Sequence, residues 1–281
     1  MDTGYKKTIQ KKISLEGIGI HTGEMVKLTL KPSDSGKVVF KRTDIKDFEF
    51  AADPKKVQSK NCSMLVTDKG NILTLEHLMA VLWVYGVDSL TVELDGGEIP
   101  VTDGSALPFI RILRQSGLKE LSEKRRSVRI VKPFRIQETD GSVAVIPDSE
   151  LKISYVIHYK HPMIKKQGMS IVVNPQVFEK EIAPARTFGF VEQASELRSR
   201  GLARGGSIKN TVVLNHERVI SGSLRFPDEF VRHKILDFIG DLSLLGSSVR
   251  GHFMAKKAGH SLHLKTVRFL LDHPEYTIIK D

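Results

Sequence analysis

Apolar residues recur at every second position in the first part of the chain, at Val26, Leu28 and Leu30 and again at Leu90, Val92 and Leu94. A period of two sets each group on one side of a β-strand, so the pattern predicts strands with one buried face. Between them the pattern changes. TLEHLMAVLWVYG (74–86) has helical length, with Thr74 placed to cap its start and Gly86 its end. EIPVTDGSALPFIRILRQSG (98–117) opens with a Pro/Asp/Gly turn and predicts a second helix over about 107–115. LKELSEKRRSV (118–128) is polar and charged, and the domain boundary is placed there.

The second half begins with strands again, since Leu151, Ile153, Tyr155, Ile157 and Tyr159 alternate cleanly. A helical segment is predicted around 176–182, and the glycine-rich GLARGGSIKNTVVL (201–214) ends in a strand-like run. RHKILDFIGDLSLLG (232–246) predicts the longest helix, running to about Leu245. Residues 251–273 read as a strand, a Gly-His turn and a last helix. The expected fold is therefore α+β, in two domains over 1–122 and 123–281, each a mixed sheet packed against helices. The halves share no identity that would establish a duplication.

Composition narrows the chemistry. With 281 residues, 40% hydrophobic and 27% charged, the chain has material for a true core and shows no low-complexity tract. The N-terminus carries no apolar run of signal-peptide type, and no apolar stretch approaches the roughly 20 residues of a spanning helix, so a cytoplasmic location is expected. Cys62 is the single cysteine, which excludes a disulfide framework and CxxC zinc sites. Any zinc must be held by histidine and carboxylate. The formal net charge of +10 favours an anionic partner such as nucleic acid, a phosphorylated metabolite or an acidic membrane, although solubility alone would also account for it.

Three of the ten histidines have chemically useful company. Glu76-His77 lies on the predicted helix 74–86, where His77 can bind metal and Glu76 can reach a water; a partly exposed helix face is the commoner cause of such a pair. His233 and Asp237 are spaced i, i+4, so both side chains can reach one ion. A surface ion pair is the commoner cause of that spacing, but the apolar residues around it argue for burial, where such groups need partners. His260 follows a glycine before the last helix, where it can act as a general acid with Asp241 to orient it; a capping or surface histidine is the plain alternative. Together His77, His233 and Asp237 would make a three-ligand zinc site with an open position, the pattern of amide or ester hydrolysis.

GIGIHTG (17–23), TLEHL (74–78), EIPVTDGSA (98–106), ARTFGF (185–190), GLARGGSIKNTVVL (201–214), LRFPDEFVRHKILDFIGDLSLLG (224–246) and GHSL (259–262) occur in this order. In these motifs the chain resembles the zinc-dependent UDP-3-O-acyl-N-acetylglucosamine deacetylases of lipid A synthesis in Gram-negative bacteria. The resemblance implies two domains of similar α+β topology with the site between the layers. It implies His77, His233 and Asp237 as zinc ligands, with Fe2+ a possible substitute, Glu76 as general base, and His260 as general acid paired to Asp241. It places Thr187 and Lys234 at the oxyanion, and Phe188 and Lys234 beside the substrate. A hydrophobic passage for the acyl chain should include Leu202, Ile208, Thr211 and Val213, which would otherwise be ordinary core. Two features stand apart. His263 occupies a position where asparagine is expected and should be exposed; Cys62 matches a cysteine found in only some members and should have no required role.

The expected protein is thus a monomeric, cytoplasmic zinc amidohydrolase acting on a UDP-linked acylated amino sugar, with peripheral contact to an anionic inner membrane and no nucleic-acid partner. A zinc hydrolase of another acetylated sugar is the nearest rival. A nucleic-acid-binding protein is the second; it suits the net charge of +10, but the basic residues are dispersed and no reading helix or RNA motif is present.

Overall fold

Strands Ile13–Ile18, Met25–Pro32, Leu90–Leu94, Val38–Arg42 and Phe48–Ala51 lie side by side in that order, in a computed structural model that describes residues 4–280. Neighbours are antiparallel except Leu90–Leu94 and Val38–Arg42, which run parallel. The register sets Leu28 opposite Leu94 and Leu30 opposite Val92. The alternating residues therefore form one continuous buried face, each large side chain contributing roughly 1.5–3 kcal/mol.

Helix α1 (Glu76–Val84) is buried along its whole length, as a helix apolar on every side must be. Gly86 ends it as expected: its φ is +75°, and the N–H groups of Gly86 and Val87 donate to the carbonyls of Trp83 and Leu82, a Schellman closure. The start differs. Thr74 does not cap the helix, because it sits at φ +64° and its hydroxyl donates to the buried Glu98 carboxylate at 2.8 Å. Leu75 takes the N-cap position.

Helix α2 (Leu107–Ser116) buries Phe109, Ile110 and Leu113, the stripe expected from its periodicity. The polar stretch that follows is a strand, Leu118–Lys124, antiparallel to Tyr5–Ile9.

Ser127–Ile130 enters a seven-stranded sheet built entirely from the second half of the chain. Its central strand, Ser248–Lys256, runs parallel to Leu151–His158 and antiparallel to Ser142–Ile146. The predicted helix near 176–182 appears as a short helix, α3 (Pro175–Val177), and a wide π turn over Phe178–Ile182. Helix α4 (Val191–Ser199) has no buried residue. Helix α5 (Glu229–Leu242) buries twelve side chains, all except Arg232 and Lys234. Helix α6 (His260–Asp272) follows the central strand and packs against α5.

Helices α1 and α5 cross with almost no space between them. A Cβ at Gly240 would lie 2.1 Å from the Glu76 carbonyl oxygen, so only glycine permits this approach. The crossing brings the first turn of α1 against the middle of α5.

Candidate functional site

Three helices deliver ionisable side chains to one buried point. Glu76 and His77 come from the first turn of α1, His233, Lys234, Asp237 and Asp241 from α5, and His260 from the first residue of α6. The i, i+4 spacing sets His233 Nε2 3.4 Å from Asp237 Oδ1. From the facing helix, His77 Nε2 lies 3.6 Å from the same oxygen.

The donor set suits zinc. The three ligand atoms lie within 4.8 Å of one another, and the edges of a tetrahedron with bonds of about 2.0–2.2 Å measure roughly 3.3–3.6 Å. His233 Nδ1 donates to the Ala185 carbonyl at 3.2 Å, leaving Nε2 unprotonated toward Asp237. Burial lowers the His233 pKa to about 3, so the imidazole is neutral, as a ligand must be. Burial alone would raise the Asp237 carboxyl, but His233 and Lys234 outweigh it and hold the group well below the usual range. Lys234 Nζ binds Asp237 Oδ2 at 2.6 Å, leaving Oδ1 to the two imidazoles.

Beyond this trio stand the acid–base candidates. Glu76 Oε2 accepts the Ser63 backbone N–H at 3.0 Å, while Oε1 lies 3.8 Å from His260 Nε2. Burial raises the Glu76 carboxyl above its ordinary value. His260 Nδ1 donates to Asp241 Oδ2 at 2.7 Å. Burial lowers His260 on its own, but the adjacent Asp241 carboxylate outweighs it and carries the imidazole up to about 9. Asp241 is itself brought down to about 2, because His260 and His263 outweigh the burial that would raise it.

These groups open on a cavity of about 310 Å³ bordered by Thr187, Phe188, Phe190, Leu197 and Thr211. Phe188 also lies under the Lys234 ammonium, 5.9 Å from its ring centroid. The four passage candidates do not cluster. Thr211 lines the cavity; Leu202 and Val213 do not, the first buried and the second half-buried. Ile208 is 61% exposed. The apolar wall comes instead from the aromatic strand Phe188–Phe190 and from α4. A larger cleft, about 660 Å³, lies at the far ends of α1 and α5 beside Trp83 and Arg125 and contains none of these groups.

His263 is fully buried, which corrects the expectation of an exposed ring. Its Nδ1 donates to Asp241 Oδ2 at 2.8 Å, and this partnership removes the cost of burying it. Cys62 is also in the core, 1% exposed, and burial pushes its thiol well above the usual range.

Several contributors carried no periodic signal. Ser63 Oγ donates to Asp241 Oδ1, joining the strand Ser63–Thr67 to the site. Glu98, fully buried, accepts from the N–H groups of His21 and Thr22 and from the hydroxyls of Thr22 and Thr74. It therefore ties the motif EIPVTDG to GIGIHTG and to the start of α1. Glu229, equally buried, grips the Arg186 guanidinium at 2.8 Å and the N–H groups of Arg186 and Arg225, which anchors the loop presenting Thr187. Burial would raise Glu229, but Arg186 and these N–H donors outweigh it and lower its pKa. Its stabilisation is present above the ordinary value of 4.5 and is lost as pH falls from there through the lower folded value. Glu229→Gln should accordingly lower the melting temperature at neutral pH and flatten its decline below that value. A pH series of thermal melts on both proteins checks this.

Relatives carry the same architecture of sequence. A protein of Thermodesulfovibrio yellowstonii is 42% identical over 280 residues, covering 99% of this chain and 95% of its own. Another from Geobacter sp. is 39% identical over 281 residues, with 98% and 92% covered. One from Campylobacter fetus subsp. fetus is 40% identical over 276 residues, with 97% and 94% covered. Each is named UDP-3-O-acyl-N-acetylglucosamine deacetylase. The LpxC family model, described as UDP-3-O-acyl N-acetylglycosamine deacetylase, matches residues 6–272. That span includes every ionisable group gathered at the buried point, and with these similarities it establishes that the chain belongs to the LpxC family.

Proposed function

We propose that this chain hydrolyses the acetamide of UDP-3-O-acyl-N-acetylglucosamine, giving acetate and the free amine in the committed step of lipid A synthesis. The observation that carries the reading is the buried convergence of two histidines and one aspartate with a raised carboxyl on one side and a protonated imidazole on the other. His77, His233 and Asp237 would hold one zinc ion, with Fe2+ able to take the same ligands. When bound, the metal supplies Lewis acidity toward water and the acetamide carbonyl.

The chain's own groups do the proton work. Glu76, made more basic by burial, takes a proton from the attacking water. Lys234 and Thr187 face the carbonyl oxygen as negative charge grows on it. His260, protonated at neutral pH with its value raised to about 9 by Asp241, gives its proton to the departing amine while Asp241 holds the ring. Phe188 and the apolar wall with Phe190, Leu197 and Thr211 would shelter the acyl chain. Each CH₂ removed from water is worth roughly 0.8 kcal/mol.

The two halves, 1–122 and 123–281, act as α+β domains that meet where α1 crosses α5. The net charge of +10 suits the diphosphate and an anionic membrane surface. No helix among the described residues is long and apolar enough to cross a membrane; the reading places a monomer in the cytoplasm, at the inner face of the membrane. The test is metal content of the purified protein together with acetate release from UDP-3-O-acyl-N-acetylglucosamine and from simpler acetylated sugars. One zinc per chain and a strong preference for the UDP-acyl sugar are expected. Equal release from a sugar lacking UDP and acyl chain would sink the reading, as would full activity in His260→Ala for that residue's role.

A further inference from the structure

We infer that His263, anchored by Tyr155, is a positioning residue that fixes the Asp241 carboxylate and through it the orientation of His260. The inference rests on the reading of His260 as general acid. Asp241 is fully buried and has three side-chain donors: Ser63 Oγ on Oδ1, and the Nδ1 groups of His260 and His263 together on Oδ2, at 2.7 and 2.8 Å.

The second imidazole is held from every side. Its Nε2 lies 2.9 Å from the Tyr155 hydroxyl oxygen, which also lies 2.8 Å from the Ala258 carbonyl, so the one hydroxyl proton serves one of these two neighbours. Ala258 belongs to the turn that delivers His260. Phe238, one helical turn before Asp241 on α5, stacks on the His263 ring with centroids 4.4 Å apart. His263 thus joins α5, the strand Leu151–His158 and the turn before α6, and these are the pieces whose relative placement sets His260.

Both imidazoles meet Asp241 on one oxygen, Oδ2, at 2.7 and 2.8 Å. A donor that merely packed would not need to share that particular oxygen with the acid.

Three variants test this: His263→Phe keeps the packing on Phe238 but removes the donor, His263→Asn keeps a donor to Asp241, and Tyr155→Phe frees the far side of the ring. His263→Phe should lower kcat about 10- to 100-fold, the usual cost of removing a partner behind a functional group, with KM and zinc content unchanged. His263→Asn should recover most of kcat. Tyr155→Phe should show a smaller loss of the same kind. The Nδ1–H resonance of His260, assigned by ¹⁵N-labelled histidine spectra, should shift in His263→Phe and return toward wild type in His263→Asn. Wild-type kcat in His263→Phe overturns the inference, as does a wild-type His260 resonance in both His263→Phe and Tyr155→Phe. His260→Ala measured alongside separates the two ideas. Full activity there removes the general-acid reading and this inference with it, whereas loss there with an unaffected His263→Phe removes the inference alone.

Discussion

Glu76→Gln is expected to reduce kcat by about 10²- to 10⁴-fold, the range typical of a lost general base, while the protein keeps its fold and its zinc. The substitution is close to isosteric, and the amide oxygen can still accept the Ser63 N–H that Glu76 Oε2 now takes at 3.0 Å. None of the three proposed ligands, His77, His233 and Asp237, is altered. Loss of turnover with one zinc retained assigns proton abstraction to Glu76; loss of both would instead make it a ligand. Metal analysis of the same preparation used for kinetics decides the matter.

Asp237→Ala should fail in the opposite way, losing metal and activity together. Asp237 Oδ1 faces both His233 Nε2 and His77 Nε2, at 3.4 and 3.6 Å, so its removal takes away the common neighbour of the two imidazoles. It also strips Lys234 of a partner at 2.6 Å, in a side chain only 17% exposed. Breaking a buried pair by removing one member costs about 3–5 kcal/mol, so the metal-free variant should unfold at lower denaturant than the metal-free parent. His233→Ala should lose metal without that added penalty, because the Lys234–Asp237 pair survives. Zinc content and urea midpoints of the three proteins, all stripped with chelator, separate ligand loss from loss of the ion pair. Stoichiometric zinc in Asp237→Ala would remove Asp237 from the ligand set.

Much of this was legible in the residue pattern because it depends on neighbours in sequence. The period-two runs at 26–30 and 90–94 became the paired, buried faces they predict, and α1 closes at Gly86 through the bonds Gly86 N–H to Trp83 and Val87 N–H to Leu82. The i, i+4 pair His233 and Asp237 needs only a helix to converge. The errors fell where a partner lies far along the chain. Thr74 looked like an N-cap, but Glu98 offers its hydroxyl a buried carboxylate 24 residues away. His263 was expected to be exposed, but the partner that lets it be buried, Asp241, stands 22 residues earlier.

Sequence by itself determined the α+β content, the apolar faces, the metal-capable residue types and, through its ordered motifs, the resemblance to a deacetylase family. Tertiary structure alone decided which ionisable groups meet. The α1–α5 crossing at Gly240 joins Glu76 to the α5 face; burial brings one imidazole, His233, down to about 3, whereas the Asp241 carboxylate outweighs burial and carries another, His260, up to about 9. Local pattern is governed by short-range sterics and periodic burial, whereas a pKa depends on charges and desolvation from segments far apart in sequence.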